Sequence, residues 1–216
     1  MRIAILGTGN VGAALGKGWA RARHTIAYGV RDPGAAKHKA AAAEAGGAAV
    51  ASVAEAARGA EVIVLAVPSD AVGAAVGACG DLSGRIIIDP TNPLRMGAEG
   101  LELAIGFSTS AGEQTAALAP RAAVFKTLNQ AGSAVMADAT GYAAPPVMFV
   151  AGDDTAKKPA VMGLVRDLGF DAVDAGGIKA ARLLEPLAML WIHMLLNRQA
   201  PGDNAFAYLE RSKGKA

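Results

Sequence analysis

The sequence predicts an α/β fold, a doubly wound and mostly parallel sheet with a small C-terminal helical extension. Three observations predict it. Short apolar runs alternate with longer, Ala-rich helical patterns along all 216 residues, the rhythm of stacked βαβ units. Runs such as VIVLAV at 62–67 and IIID at 86–89 are almost continuously apolar, as strands covered on both faces require. The stretch ILGTGNVG, Ile5 to Gly12, sets a glycine-rich turn directly after the first of these runs.

Taken in order, the strands are expected at Arg2–Leu6, Thr25–Tyr28, Ala48–Val50, Val62–Val67, Arg85–Asp89, Ala123–Phe125, Val147–Ala151 and Asp171–Asp174. Helices are expected near 10–22, 34–45, 52–58, 70–78, 111–118, 131–136 and 155–168, with a last one from about 178 to 198. Start signals support this register. Asp32 before Pro33 reads as an N-cap with proline in the first turn, and Ser52 with Glu55 matches a capping box. Asp153 and Asp154 set negative charge ahead of the helix beginning near Thr155. The segment Ala137–Pro146 (ADATGYAAPP) reads as a loop. No repeat or linker divides the chain, so one domain over 1–216 is expected.

In the last helix, Leu183, Leu187, Leu190, Trp191, Met194 and Leu195 recur at helical spacing. They read as core or dimer packing. Arg182, Glu185 and Pro186 interrupt the pattern and predict a kink or a split helix.

Composition excludes several classes. With 52% hydrophobic residues the chain has ample core material. Net charge is +2 and aromatics are 5%, so the basic, aromatic-studded surface of a nucleic-acid binder is missing. Arg211, Lys213 and Lys215 read as a solvated tail. A single cysteine, Cys79, permits neither an intrachain disulfide nor a cysteine-built metal site. The run Leu183–Leu196 is too short to span a bilayer and carries Glu185. No signal peptide is read at the start. No membrane or nucleic-acid partner and a cytoplasmic location are therefore expected.

The glycine-rich stretch passes three context tests for a dinucleotide-binding turn of the Rossmann type. A strand precedes it, a helix with small residues follows it, and a reader of the ribose lies about twenty residues on. Gly7 allows the tight turn, Gly9 lets the backbone approach a pyrophosphate, and Gly12 permits close helix–strand packing. The helix N-terminus then attracts the anion. The end of the second strand selects the dinucleotide. The position of an NAD binder's acid is Gly29, while Arg31 could grip a 2′-phosphate in a bidentate manner. Asp32 is the acidic rival, given a capping role by Pro33. NADP(H) is the cofactor these residues favour.

These stretches, with GVRDP, VIVLAVP, IIIDPTNPL, VFKTLNQAG, VRDLGF and DAGGIKAARLLEPLAMLWI, resemble the 8-hydroxy-5-deazaflavin:NADPH oxidoreductase family. That family is a compact Rossmann group related to the cytosolic domain of membrane metalloreductases. The resemblance covers nearly the whole chain and implies a dinucleotide domain carrying its own acceptor pocket, often as a homodimer. It implies that Thr8, Arg31 and the backbone of Asn10 and Val11 contact the NADP phosphates. Ala66, Val67 and Pro68 would line the nicotinamide half, and Leu128, Asn129 and Gln130 would lie near the ring or its acceptor. Two departures are visible: Val30 stands where the family's turn often has serine, and the KTLNQ stretch has no histidine.

Hydride transfer between nicotinamide and acceptor needs positioning more than a protein acid or base, and no catalytic residue is assigned. No nucleophile triad or metal-ligand pattern is present. His24, His38 and His193 are scattered; His38 reads as lying on a charged helix face, and His193 as a core or interface residue. Thr91, Asn92 and Pro93 after the fifth strand, and Lys126 with Asn129 after the sixth, are pocket candidates by position. The stretch Asp89–Pro93 is equally ordinary turn chemistry, and Lys126 reads as a proton donor or a surface lysine.

The expected function is an NADP(H)-dependent oxidoreductase passing hydride to a deazaflavin, a flavin or another small-molecule acceptor. Rivals are an imine or carbonyl reductase, which would need a long second helical domain, and an NADP(H) sensor or electron-feeding module without its own turnover.

Overall fold

The computed structural model describes residues 1–197 and 202–211. Lys213 and Lys215 of the basic tail, and Arg198 at the expected end of the last helix, lie outside the described residues. Five elements come first: β1 (Arg2–Leu6), α1 (Asn10–Arg21), β2 (Thr25–Val30), α2 (Lys37–Glu44) and β3 (Ala49–Ser52). Then follow α3 (Val53–Arg58), β4 (Val62–Val64), a 3-10 turn at Ser69–Ala71, α4 (Val72–Ala78) and β5 (Ile86–Asp89). A hairpin of β6 (Leu94–Gly97) and β7 (Gly100–Leu103) precedes α5 (Ala111–Leu118), β8 (Ala123–Lys126) and α6 (Ser133–Ala137). The described fold closes with β9 (Val147–Gly152), α7 (Lys158–Arg166), β10 (Asp171–Gly176) and α8 (Ala181–Asn197).

Eight strands form one sheet in the order β10-β9-β8-β5-β4-β1-β2-β3. Every neighbouring pair is parallel except β8 and β9, which run antiparallel through Phe125↔Gly152 and Lys126↔Ala151. The chain builds outward from β1 through β2 to β3, then crosses back to β4 on the other side of β1. This reversal opens a crevice at the C-terminal ends of β1 and β4, where open α/β sheets bind ligands.

Successive side chains of a strand point to opposite faces. Ile3 and Ile5 pack with Leu15, Trp19, Val135 and Val165 on one face of the sheet. Ala4 and Leu6 pack with Ala56, Ala57, Val72 and Val76 on the other. Trp19 is fully buried, and its indole N–H donates to the Leu164 carbonyl at 2.8 Å. A side chain of this size contributes about 2–3 kcal/mol by burial, provided its polar edge is satisfied. Residues 204–208 fold back beside β9: Phe206 O accepts from Val147 N at 2.8 Å, and Tyr208 stacks edge-on against Phe149.

The structure corrects several sequence expectations. β4 ends at Val64, not Val67, because Ala66 turns away from the ladder against Gly7. Asp32 does not cap α2; its Oδ1 accepts from Gly34 N at 3.1 Å, closing a turn, and the helix starts five residues later. The helix expected from Thr155 begins at Lys158. Asp154 accepts there from Lys157 N, and Asp153 turns away to accept from Ile178 N. α8 runs unbroken through Pro186, so the predicted split is absent. The hairpin at 94–103 falls where the sequence pattern predicts neither strand nor helix. The capping box of Ser52 and Glu55 forms as expected.

Candidate functional site

Gly7 sits at φ +106°, and a Cβ on it would stand 2.4 Å from the Ala66 carbonyl oxygen. A Cβ on Gly12 would stand 2.2 Å from Gly7 O, with Ala66 Cβ at 3.3 Å. These two glycines therefore let the β1–α1 turn, α1 and the end of β4 close on one another. Gly9 differs. A Cβ there meets no protein atom within 4 Å, so the fold itself places no demand for glycine at that position. Gly9 is the extended N-cap of α1 and makes no side-chain cap; the first turn holds no acidic residue. The amides of Asn10, Val11 and Gly12 belong to the group that a helix leaves without intrahelical acceptors, the kind of donors that anions take at helix N-termini.

The turn docks on β2 through Gly7 N–H donating to Gly29 O at 3.0 Å. Gly29 is buried, and a Cβ on it would lie 2.7 Å from Leu6 Cδ2 and 3.2 Å from Val53 Cα. No carboxylate fits there. Arg31, just beyond the strand, is exposed. Thr8 turns its hydroxyl toward the same side and meets His38, Oγ1 to Nδ1 2.6 Å. His38 is 6% exposed, not on a charged surface face as the flanking Lys37 and Lys39 suggested. Ala66 and Val67 lie against Gly7, while Pro68 is exposed at the crevice mouth.

Beneath the crevice, at the ends of β5 and β8, lies a sealed polar cluster that sequence reading missed. Lys126, neither a surface lysine nor open to the crevice, is fully buried. Its Nζ donates to Thr91 O at 2.5 Å and lies 3.4 Å from Asp89 Oδ1 and 3.2 Å from Glu185 Oε1. Asp89 also accepts from the Thr91 amide and hydroxyl and from the Thr115 hydroxyl. Glu185 accepts from the Ala111 and Gly112 amides, at 3.1 and 3.0 Å, and so caps α5. Arg182 grips Glu113 with two hydrogen bonds at 2.7 and 2.6 Å, which hold the Glu113 carboxyl below its ordinary range. The two residues read as breaks in α8 are thus its anchors.

Asn92 and Asn129 are joined reciprocally, Asn92 Nδ2 to Asn129 O at 2.9 Å and Asn129 Nδ2 to Asn92 Oδ1 at 3.0 Å. Gln130 exchanges two hydrogen bonds with the Phe149 backbone. The amides of Asn129 and Gln130 are therefore turned into the fold, and Leu128 is fully buried with φ +60°. Next to it the Thr127 hydroxyl is buried without a partner. A left-handed leucine beside an orphaned hydroxyl marks this turn as strained. A cleft of about 420 Å³ opens between the β4 and β5 ends and α5, its apolar wall formed by Pro93, Leu94 and Ile105 and its polar edge by Asp70, Thr91 and Gln114. Of the candidate pocket residues, Thr91 and Pro93 line this cleft, while Asn92, Leu128, Asn129 and Gln130 do not.

On α8 the inward face is Leu184, Glu185, Ala188 and Trp191, while Leu183 and Leu190 are 72% and 50% exposed. Of the stripe expected to pack in the core or a dimer, Trp191 is buried and Leu187, Met194 and Leu195 are half-buried, while Leu183 and Leu190 face outward because Glu185 turns toward α5. His193 is exposed too, bonded to Asn197. Among the described residues no three His, Cys, Asp or Glu side chains could hold a metal ion, and no helix is long and apolar enough to cross a membrane.

Comparison with known proteins agrees with this fold. The family model described as NADP oxidoreductase, coenzyme F420-dependent, matches residues 2–93, from β1 to the end of the β5 turn. A protein of Arthrobacter sp. FB24, described as a candidate F420-dependent NADP-reductase, is 33% identical over 97% of this chain and 100% of its own, with a TM-score of 0.89. The hypothetical protein SMa0349 of Sinorhizobium meliloti is 26% identical over 86% of this chain and 90% of its own, with a TM-score of 0.75. A reductive aminase of Aspergillus terreus, 20% identical, shares the fold at a TM-score of 0.67; 90% of this chain covers 61% of that longer one. On the full-length match to the Arthrobacter protein and the family model over its nucleotide-binding half, the chain belongs to the family of coenzyme F420-dependent NADP oxidoreductases and is an NADP-dependent oxidoreductase.

Proposed function

We propose that the protein passes hydride directly between NADP(H), held across the C-terminal ends of β1, β2 and β4, and a flat redox cofactor of the deazaflavin or flavin type. The observation that carries the nucleotide half is Gly29. Its packing leaves no room for the acid that would read an NAD ribose, and the exposed cation two residues later is Arg31. The residues fit the cofactor: the open side of Gly9 and the first amides of α1 receive the pyrophosphate, and Arg31 takes the 2′-phosphate. Ala66, Val67 and Pro68 carry the nicotinamide half over the end of β4.

When bound, the nicotinamide supplies or receives the hydride at its C4. The chain's own contribution is to orient the ring and keep water out. The apolar wall at Pro93, Leu94 and Ile105 suits a planar ring, with Asp70 and Gln114 at the edge to meet its polar rim, and family membership favours a deazaflavin. The sealed Lys126 cluster gives the cleft a rigid floor and delivers no proton to it.

Titration with NADPH and NADH, followed by nicotinamide fluorescence, tests the reading. Wild type should bind NADPH well ahead of NADH. Arg31→Ala should lose about tenfold or more in NADPH affinity and little for NADH, the scale of a charge-assisted pair. Stopped-flow mixing of the NADPH complex with a deazaflavin and with FMN then identifies the acceptor. Equal affinity for the two nucleotides, unchanged in the variant, would remove the 2′-phosphate assignment.

A further inference from the structure

The Thr8–His38 contact joins the glycine-rich turn to the first turn of α2 across 30 residues of sequence, Oγ1 to Nδ1 2.6 Å. Only one hydrogen can lie between a hydroxyl oxygen and an imidazole nitrogen, so two arrangements exist. In one, Nδ1 is bare and Thr8 spends its hydrogen inward. In the other, Nδ1–H donates to the Thr8 oxygen, and the Thr8 hydrogen is left to point outward. A phosphate oxygen only accepts, so only the second arrangement offers it a donor. Burial clamps the imidazole, and a chain from Nδ1–H through the hydroxyl to phosphate strengthens each of its links.

The direction of the pair is set by the fold. Gly7 N–H is tied to Gly29 O at 3.0 Å, which turns Thr8 toward the β2–α2 connection that carries Arg31. His38 reaches the same place from α2, a short helix whose N-terminus has no side-chain cap. We propose that His38 is a positioning residue for NADP(H): it holds the Thr8 hydroxyl as a donor to the 2′-phosphate of the dinucleotide. This rests on the NADP(H) reading above.

The test is a set of NADPH and NADH titrations on Thr8→Val, His38→Ala, His38→Asn, His38→Gln and the Thr8→Val/His38→Ala pair, each with its thermal unfolding midpoint. Asparagine sets an amide near the place of Nδ1, whereas glutamine sets it near Nε2. Thr8→Val and His38→Ala should each weaken NADPH about tenfold and NADH hardly at all, the scale of one hydrogen bond to a charged group. The double variant should lose no more than either single one. His38→Asn should recover most of the loss and His38→Gln should not. Equal losses for both nucleotides, additive losses, or an unaffected His38→Ala would overturn the assignment and leave His38 as packing. If wild type fails to prefer NADPH, the cofactor reading falls first, so the two failures are distinguishable.

Discussion

Lys126 Nζ lies 3.2 Å from Glu185 Oε1, and neither side chain reaches solvent. With Asp89 close by, two carboxylates face one ammonium, and the excess negative charge is met by the α5 amides and two threonine hydroxyls. Removing one partner of such a group leaves a buried charge uncompensated. Lys126→Met should therefore cost about 3–5 kcal/mol in urea unfolding. Adding Glu185→Gln to it should recover part of that loss, since the repelling carboxylate is gone. A Lys126→Met protein as stable as wild type would mean that the cluster contributes nothing net.

The glycines of the turn should separate folding from binding. Gly9→Ala should unfold at the wild-type midpoint, since its Cβ meets no protein atom, yet bind NADPH at least tenfold more weakly by blocking backbone approach. Gly12→Ala should instead destabilise by about 1–3 kcal/mol or more, because its Cβ would stand 2.2 Å from Gly7 O. Calorimetry beside the nucleotide titration checks both. A Gly9→Ala variant with full affinity would count against pyrophosphate at this turn.

Gly29→Asp would place the acid of an NAD binder at its usual position. It should not convert the protein to NAD use. The new side chain would push on Leu6 and Val53, and overpacking of this kind costs about 1–3 kcal/mol. A lowered midpoint with no gain in NADH affinity is the expected outcome, and a folded, NADH-preferring variant would show that the strand end can open.

Two named groups should each contribute to the pH limits of stability. Hydrogen bonds from Arg182 hold the Glu113 carboxyl low. Their contribution is complete above the ordinary glutamate value of about 4.3 and is lost as the pH falls through the lower folded value. Glu113→Gln should flatten that acid limb. At the other end, burial, helped by the charge of Glu44, pushes the Tyr28 phenol up to about 12. Stability held below the ordinary value of about 10 is lost as the pH rises through that range. Tyr28→Phe should remove this share of the alkaline dependence at small cost near neutrality, since the phenol's hydrogen bond to Gly12 O is long, 3.4 Å.

What the sequence made legible was whatever depends on neighbours along the chain. The strand–turn–helix of residues 2–21, the Ser52–Glu55 box and the parallel rhythm all rest on local spacing, and all are present. What it hid depends on distant partners. Glu185 reads as a flaw in an apolar helix until α5 is brought beneath it. His38 sits between two lysines and looks solvated until the β1–α1 turn closes on it. The hairpin at 94–103 lacks the Asn-Gly turn that would announce it, although Gly97 and Gly100 flank its tip at a two-residue spacing. Asn129 and Gln130, polar residues at a strand end, suit a ligand equally well until Asn92 and Phe149 are seen to engage their amides.

The β8–β9 join holds by two residue pairs, with Gly152 giving the Phe125 ring its space. The parallel neighbours from β3 across to β8 are each held by three to five residue pairs, whereas β9 arrives after a 20-residue excursion from β8 and gains two. Closing that excursion costs entropy that two pairs repay poorly. The first five strands can collapse around β1 before this seam forms, and β9 with β10 then docks as a block. Gln130 lies on that excursion and bonds the Phe149 backbone of β9 across it, so the turn at 127–130 sets only once the seam has closed.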